Sequence, residues 1–379
     1  MKIVIAPDSY KESLSALDVA TAIETGFREI YPHAEYVKVP VADGGEGTVE
    51  AMVAATQGHI VQVSVTGPLG EPVEAFYGLS GDMRCAYIEM AAASGLESVP
   101  PTRRNPLLTT SWGTGELIRY ALDAGVSQII IGIGGSATND GGAGMAQALG
   151  AKLLTAEQQQ IAPGGGALET LARIDLSELD PRLADCRIDV ACDVTNPLTG
   201  PQGASAVFGP QKGATTAMIE RLDSGLQHFA QIIARDLDID VLSLEGGGAA
   251  GGMGAALYAF CGAKLRPGIE IVTDALRLAD LVADADLVIT GEGRIDSQTI
   301  HGKVPVGVAK VAKRFNVPVI GIAGSLTADV GVVHQHGLDA VFSVLYTVCT
   351  LDEALANAAA NVRMTARNVA AVLQMGGKR

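Results

Sequence analysis

A chain of 379 residues, 48% of them apolar and 18% charged, is long enough for two domains that each bury a core. With 27 Lys and Arg against 42 Asp and Glu it carries a formal charge of −15 and shows no useful cluster of cations, which argues against nucleic acid and anionic membranes as partners. Its 46 glycines mark an α/β enzyme with many tight turns and close backbone approaches, not a disordered chain.

The chain opens on a buried strand over residues 2–6, stopped by Pro7, where a signal peptide would need a longer apolar run. Ser15 and Asp18 resemble a capping box, and Val19, Ile23, Phe27 and Ile30 follow at helical spacing until Pro32. A strand over 36–39 leads into the loop Ala42-Asp43-Gly44-Gly45-Glu46-Gly47-Thr48, and a helix over about 49–56 follows. The pattern then changes. Residues 60–65 and 73–77 alternate around the turn Gly67-Pro68-Leu69-Gly70, and 86–90 come next, as in an antiparallel meander.

Further on, an apolar strand over 128–131 enters a glycine loop, residues 132–142, followed by a helix holding Met145 and Leu149. Near the C-terminus the βαβ pattern returns: a strand over 287–289, a polar loop over 290–303, then a helix with Val304, Val308 and Val311 and Pro305 in its first turn. Strands over 319–322 and 340–344 precede a last helix, opened by a capping box at Thr350 and Glu353. Its apolar face carries Leu355, Ala359, Val362, Ala366, Val369 and Leu373. The two ends together supply five strands alternating with helices, enough for a doubly wound parallel sheet. The expected architecture is one α/β domain from residues 1–60 and 275–379, interrupted by a second, mixed α/β domain over 61–274. Five cysteines without a C-x-x-C pair indicate free thiols in a reducing compartment, the cytoplasm. No apolar run reaches the roughly 18 residues of a membrane span.

The glycine loop is the sharpest chemical signal. A strand, a glycine turn and a helix start aim backbone N–H groups at one point, and phosphate is their natural guest; Gly134, Gly135, Ser136 and Asn139 are the candidate contacts. Asp140 in the same loop could hold Mg²⁺ or cap the helix. Gly246 to Gly248 with Gly251 and Gly252 form a second candidate cradle. No Walker or protein-kinase signature accompanies them, and G-x-G-x-x-G is not met. Carboxylates follow predicted strand ends at Asp43, Asp193, Glu292 and Asp296, the place where ligands gather in doubly wound sheets, although a loop acid is by default a solvated group or a cap. Lys11, Lys212, Arg294 and Lys303 lie in or beside these loops. Together they supply what phosphoryl transfer asks of a protein: cations on the phosphates, a metal site and a positioned base.

Six segments carry a resemblance: Ala6-Pro7-Asp8-Ser9-Tyr10-Lys11-Glu12-Ser13, the loop at 42–48, the loop at 132–142, Cys192-Asp193-Val194-Thr195-Asn196-Pro197, residues 209–213 and residues 290–297. In this order, over nearly the whole chain, they resemble the bacterial type I glycerate kinases. The resemblance implies a flavodoxin-like domain interrupted by an inserted α/β domain, an active site between the two, and phosphorylation of D-glycerate by ATP with Mg²⁺. Acceptance at the 2-hydroxyl is the first expectation and at the 3-hydroxyl the alternative. Asp193, Asp296 and Lys11 are then the expected catalytic residues. Gly134, Gly135, Ser136, Asn139, Gly251, Gly252 and Lys212 are expected around ATP, Ser9, Asp43 and Arg294 around glycerate, and Asp140, Asp193 and Glu292 around the metal. Monomer and homodimer are both open. A NAD-dependent hydroxy-acid dehydrogenase and a non-catalytic phosphosugar sensor are the competing readings, and turnover of ATP with glycerate separates them.

Overall fold

The computed structural model describes residues 1–377, which form two compact units. The first comprises Met1–Asp43, Glu50–Gln57 and the chain from Gly268 on; the second comprises Gly44–Val49 and Gly58–Pro267. The second boundary therefore falls at Gly268, and the helix Gly268–Ala275 counts with the first unit. Gly307 lies against Ile269 of that helix, and a Cβ at Gly307 would come within 2.0 Å of the isoleucine side chain.

The first unit is built on a five-stranded parallel sheet, in the order Ala340–Ser343, Val319–Ala323, Leu287–Thr290, Lys2–Ile5, Glu35–Lys38. Val4, Ile5, Val288 and Ile289 are fully buried, as strands covered on both faces require. Ser15 caps the helix Ala16–Arg28 by accepting from the Asp18 N–H at 3.1 Å, and Val19, Ile23 and Phe27 face the core. That helix packs on Ala358–Gly376 at Gly26, where a Cβ would stand 2.3 Å from the Arg363 carbonyl oxygen. The C-terminal helix departs from the sequence expectation. It is two helices, Leu351–Ala356 and Ala358–Gly376, broken at Asn357, whose Nδ2 donates to the Glu353 carbonyl at 2.8 Å. The backbone at Asn357 leaves the helical region, with φ −101° and ψ 10°. Beyond the break Ala358 is buried and Ala359 exposed.

The second unit holds a six-stranded mixed sheet in the order Lys264–Arg266, Arg187–Ala191, Gln128–Gly132, Cys85–Glu89, Pro72–Leu79, His59–Thr66. The last three strands pair antiparallel, as the alternation predicted, but Cys85–Glu89 also pairs parallel with Gln128–Gly132 and so joins the meander to a parallel half-sheet. The long helix Thr216–Leu237, on which Leu222, Leu226, Phe229 and Ile233 are buried, lies in a stretch the sequence reading left unassigned. No helix of the described residues is long and apolar enough to cross a membrane.

Candidate active site

Two groups of chemically active side chains emerge, one in each unit. In the first unit, hydrogen bonding continues past the ends of three strands. Ala6 N–H donates to the Ile289 carbonyl at 2.7 Å and Asp8 N–H to Gly291 at 2.8 Å; Val39 N–H donates to Ile5 at 2.8 Å and Val41 N–H to Pro7 at 3.0 Å. These bonds hold three loops abreast, and their acids are Asp8, Asp43 and Glu292. Only glycine fits at 291, since a Cβ there would lie 1.9 Å from the Ile322 carbonyl oxygen. Lys303, at the start of the helix Val304–Lys313, reaches Asp43 Oδ2 at 3.0 Å.

Crowding of like charges out of water shows in the proton affinities. Asp8 is pushed up to about 7, by burial first and then by Asp43 and Glu292, against the Ser9 N–H bond and Lys303. Glu292 is likewise pushed up to about 7, chiefly by burial, although Thr299 Oγ1 donates to it at 2.6 Å. Burial works against the charge on Lys303, but its pairing with Asp43 outweighs this and its pKa is raised.

Other predicted residues of this unit have structural partners. Asp296 is buried and caps the short turn Ser297–Ile300; its Oδ1 accepts from Gln298 N–H at 2.8 Å and its Oδ2 from Arg294 Nε at 2.9 Å. Ser9 donates to Asp8 Oδ1 through its N–H, at 2.7 Å, and its hydroxyl, at 3.4 Å. Lys11 is exposed in the turn anchored by buried Tyr10, whose hydroxyl donates to the Ile322 carbonyl at 2.6 Å.

In the second unit the glycine loop is organised around one of its own acids. The helix start at Ala143–Ala148 already holds an anion, Asp140 of the same loop. This carboxylate is fully buried and accepts from Ser111 N–H (2.9 Å), Ser111 Oγ (2.8 Å), Gly142 N–H (3.1 Å) and Gly144 N–H (3.2 Å). Burial raises its pKa while those four bonds oppose the rise. Asp140 thus organises the loop and engages the N–H groups of Gly142 and Gly144 at the helix start. Gly251 and Gly252 pack against that loop. Both are buried with φ of 69° and 94°, and a Cβ at Gly251 would lie 2.0 Å from the Thr138 carbonyl oxygen.

What stays open is the near edge of the loop. Gly134 and Gly135 are exposed, with Ser136 buried behind them. Lys212 lies beneath, only 2% exposed, with Nζ donating to the Thr138 carbonyl at 2.6 Å and to Ser136 Oγ at 3.4 Å. Burial without a carboxylate at hydrogen-bond distance pulls its pKa down to about 7, and the more distant Asp140 only partly opposes this. Next to it Asn139 is fully buried; its Nδ2 donates to Ser205 Oγ at 2.9 Å, while Oδ1 has no partner among the described residues. Asp193 is exposed just past the strand Arg187–Ala191.

Among the described residues no group of three His, Cys, Asp or Glu is disposed to hold a metal ion. Of the predicted acids of the first unit, the structure brings Asp43 and Glu292 together, with the charge of Asp296 also acting on Glu292 while its oxygens cap a turn. Asp8 was missed as a site residue. Its signal was available, since it is the first acid after the first strand.

A profile of the glycerate kinase family matches residues 3–374. The chain is 68% identical over 376 residues to the glycerate 2-kinase of Escherichia coli K12, covering 99% of each chain, and 59% identical to the glycerate kinase of Bacillus subtilis 168, covering 99% of this chain and 98% of that one. Among solved structures, a putative glycerate kinase 2 from Salmonella typhimurium LT2 is 75% identical and superposes with a TM-score of 0.94 over 100% of both chains. A match that runs almost end to end, and the same backbone at this level of identity, leave one conclusion: the chain belongs to the glycerate kinase family.

Proposed function

We propose that this protein transfers the γ-phosphoryl group of ATP to the 2-hydroxyl of D-glycerate, giving 2-phosphoglycerate. The observation that carries this reading is the end-to-end likeness to a glycerate 2-kinase. A physical reason points the same way. The 2-hydroxyl adjoins the carboxylate, so a cation that clamps the acid group also positions this hydroxyl, whereas the 3-hydroxyl needs a positioning group of its own. Counted within the first unit, the strand order 2-1-3-4-5 supports reading that unit as flavodoxin-like. Five free thiols support a cytoplasmic setting.

The side chains divide the work by charge. Lys212, with the exposed backbone at Gly134 and Gly135 and the hydroxyl of Ser136, suits the phosphates of ATP: an anion there would complete the environment of a buried ammonium. Lys303, and Arg294 with its exposed guanidinium, suit the carboxylate of glycerate. The acids of the first unit suit the hydroxyl that gives up its proton.

Mg²⁺ is commonly bound by one or two carboxylates together with substrate phosphates, so the lack of a three-carboxylate cage among the described residues fits an ion that arrives with the nucleotide. Asp193 would hold it, since its carboxylate is exposed at a strand end; Asp140 has both oxygens engaged, and Glu292 is bonded to Thr299 with a raised proton affinity. When bound, the ion neutralises charge on the β- and γ-phosphate oxygens.

The test is direct. Purified protein with ATP, Mg²⁺ and D-glycerate is coupled to enolase and pyruvate kinase without phosphoglycerate mutase. Enolase accepts only the 2-isomer, so pyruvate is expected at once. A signal that waits for added mutase would establish the 3-hydroxyl as acceptor, and no glycerate-dependent ADP release would refute the kinase reading.

A further inference from the structure

The parallel sheet reverses its direction of growth once. From Lys2–Ile5 the chain moves outward to Glu35–Lys38, then returns on the other side at Leu287–Thr290 and moves outward again. In doubly wound sheets the crevice at such a reversal, outside the carboxyl ends of the strands, is where ligands bind. Asp8 and Glu292 are the first acids past the two strands that flank it, and the bond from Asp8 N–H to the Gly291 carbonyl keeps them abreast.

The carboxylates in this region differ in what their oxygens already do. Asp296 has both oxygens engaged, Asp43 is paired with Lys303, and Glu292 takes the Thr299 hydroxyl. Half-buried Asp8 accepts both Ser9 bonds on Oδ1, and its Oδ2 takes none among the described residues. The Ser9 N–H fixes the carboxyl plane and leaves one oxygen free at the reversal point.

We propose that Asp8 is the catalytic base of the phosphoryl transfer, accepting the hydroxyl proton of the acceptor on Oδ2. This rests on the kinase reading above. The acceptor oxygen bonds to the γ-phosphorus as the bond from that phosphorus to the β,γ-bridging oxygen breaks. ADP leaves with the electron pair, and the hydroxyl proton passes to Asp8 and then to water. The charged groups that face Asp8 are Asp43 and Glu292, which raise its proton affinity together with burial, and Lys303, which lowers it; the outcome, about 7, is where a base near neutral pH works best. Asp8 must be ionised to accept, so kcat is expected to fall as the pH drops below about 7.

The experiment uses full-length protein with ATP, Mg²⁺ and D-glycerate across the pH range. Asp8→Asn keeps the bond from Ser9 N–H and is expected to lower kcat by roughly 10²- to 10⁴-fold, with KM for ATP within about threefold of the wild type and the acid limb abolished. Glu292→Gln is expected to keep the limb but move it to lower pH, because a negative neighbour has been removed. Turnover of Asp8→Asn within about fivefold of the wild type, or an unchanged acid limb, would overturn the assignment. If Asp8→Asn fails to fold by its melting curve, Glu292→Gln decides: a limb that does not move overturns the proposal. Wild-type protein without glycerate-dependent turnover would sink the kinase reading itself, whereas normal wild-type turnover beside an unimpaired Asp8→Asn removes only the role of Asp8.

Discussion

In the first unit three carboxylates crowd around Lys303; in the second, Lys212 is buried with a backbone carbonyl and a hydroxyl as its partners. One group has more negative charge than its surroundings balance, the other an ammonium with no carboxylate beside it. Both mismatches move a proton affinity to about 7, from opposite sides. A fold that served only stability would remove them, because unpaired buried charge is costly. On the proposed reading, their survival is what a binding site shows when part of its charge balance comes from the ligand: a cation or a departing proton at the acids, phosphate at the lysine.

The strongest way to break this comparison is Lys212→Met. A loss of about 10²- to 10³-fold in kcat/KM for ATP is expected, with a melting temperature at or above that of the wild type because an uncompensated ammonium has been replaced by an apolar chain. The pH dependence sharpens it. Lys212 titrates at about 7 when folded against an ordinary 10.5, so its penalty on the wild type is absent above the ordinary value, builds as the pH falls between the two, and is complete below about 7. Asp8 titrates at about 7 against an ordinary 3.8, so its penalty is absent below the ordinary value, builds as the pH rises between the two, and is complete above about 7. In thermal melts the advantage of Lys212→Met should therefore grow towards acid, and that of Asp8→Asn towards base. Advantages running in the same direction would show that the two regions are not opposites.

The glycine loops offer a second contrast. Gly251→Ala puts a side chain on a residue with φ of 69° and 2.0 Å from the Thr138 carbonyl oxygen, and a loss of about 3 kcal/mol in urea denaturation is expected. At Gly134 an added Cβ meets nothing within 4 Å, so Gly134→Ala should leave stability within about 0.5 kcal/mol while weakening ATP binding. Equal destabilisation by both would remove the distinction between scaffold and cradle.

A third contrast separates two acids. Asp193→Asn is expected to lower kcat by about 10²-fold and raise the Mg²⁺ requirement with melting unchanged. Asp296→Ala should cost about 1–2 kcal/mol as a lost cap, with activity reduced only through the turn that holds Thr299 against Glu292. Loss of turnover in Asp296→Ala with melting intact would return Asp296 to the chemistry.

Local patterns made much of this protein readable in advance. The apolar runs at 2–6, 287–289 and 319–322 marked inner parallel strands because strands buried on both faces cannot alternate, and a run at 340–344 marked the half-buried edge strand. Ser15 and Thr350 marked helix starts because each side chain accepts from an N–H three residues away. The motifs from Asp8 to Asp296 were enough to point to the family. The last helix was misread at Asn357 because a 3.6-residue periodicity runs straight through a local change of backbone angle, φ −101° and ψ 10°, at a single residue.

The composition and order of residues by themselves determined which segments carry chemistry; which atoms are available to a ligand was decided only by tertiary structure. Asp140, Asp193 and Asp296 look alike along the chain. Folding surrounds the first with four donors, keeps the second at the surface and ties the third into a cap. Gly134 and Gly251 likewise carry the same letter, yet one faces open space and the other a backbone carbonyl from a distant part of the chain. The physical reason is the same throughout. Propensity and capping act over a few residues and are written locally, whereas burial, hydrogen-bond saturation and the field of neighbouring charges are set by groups that only the fold brings together.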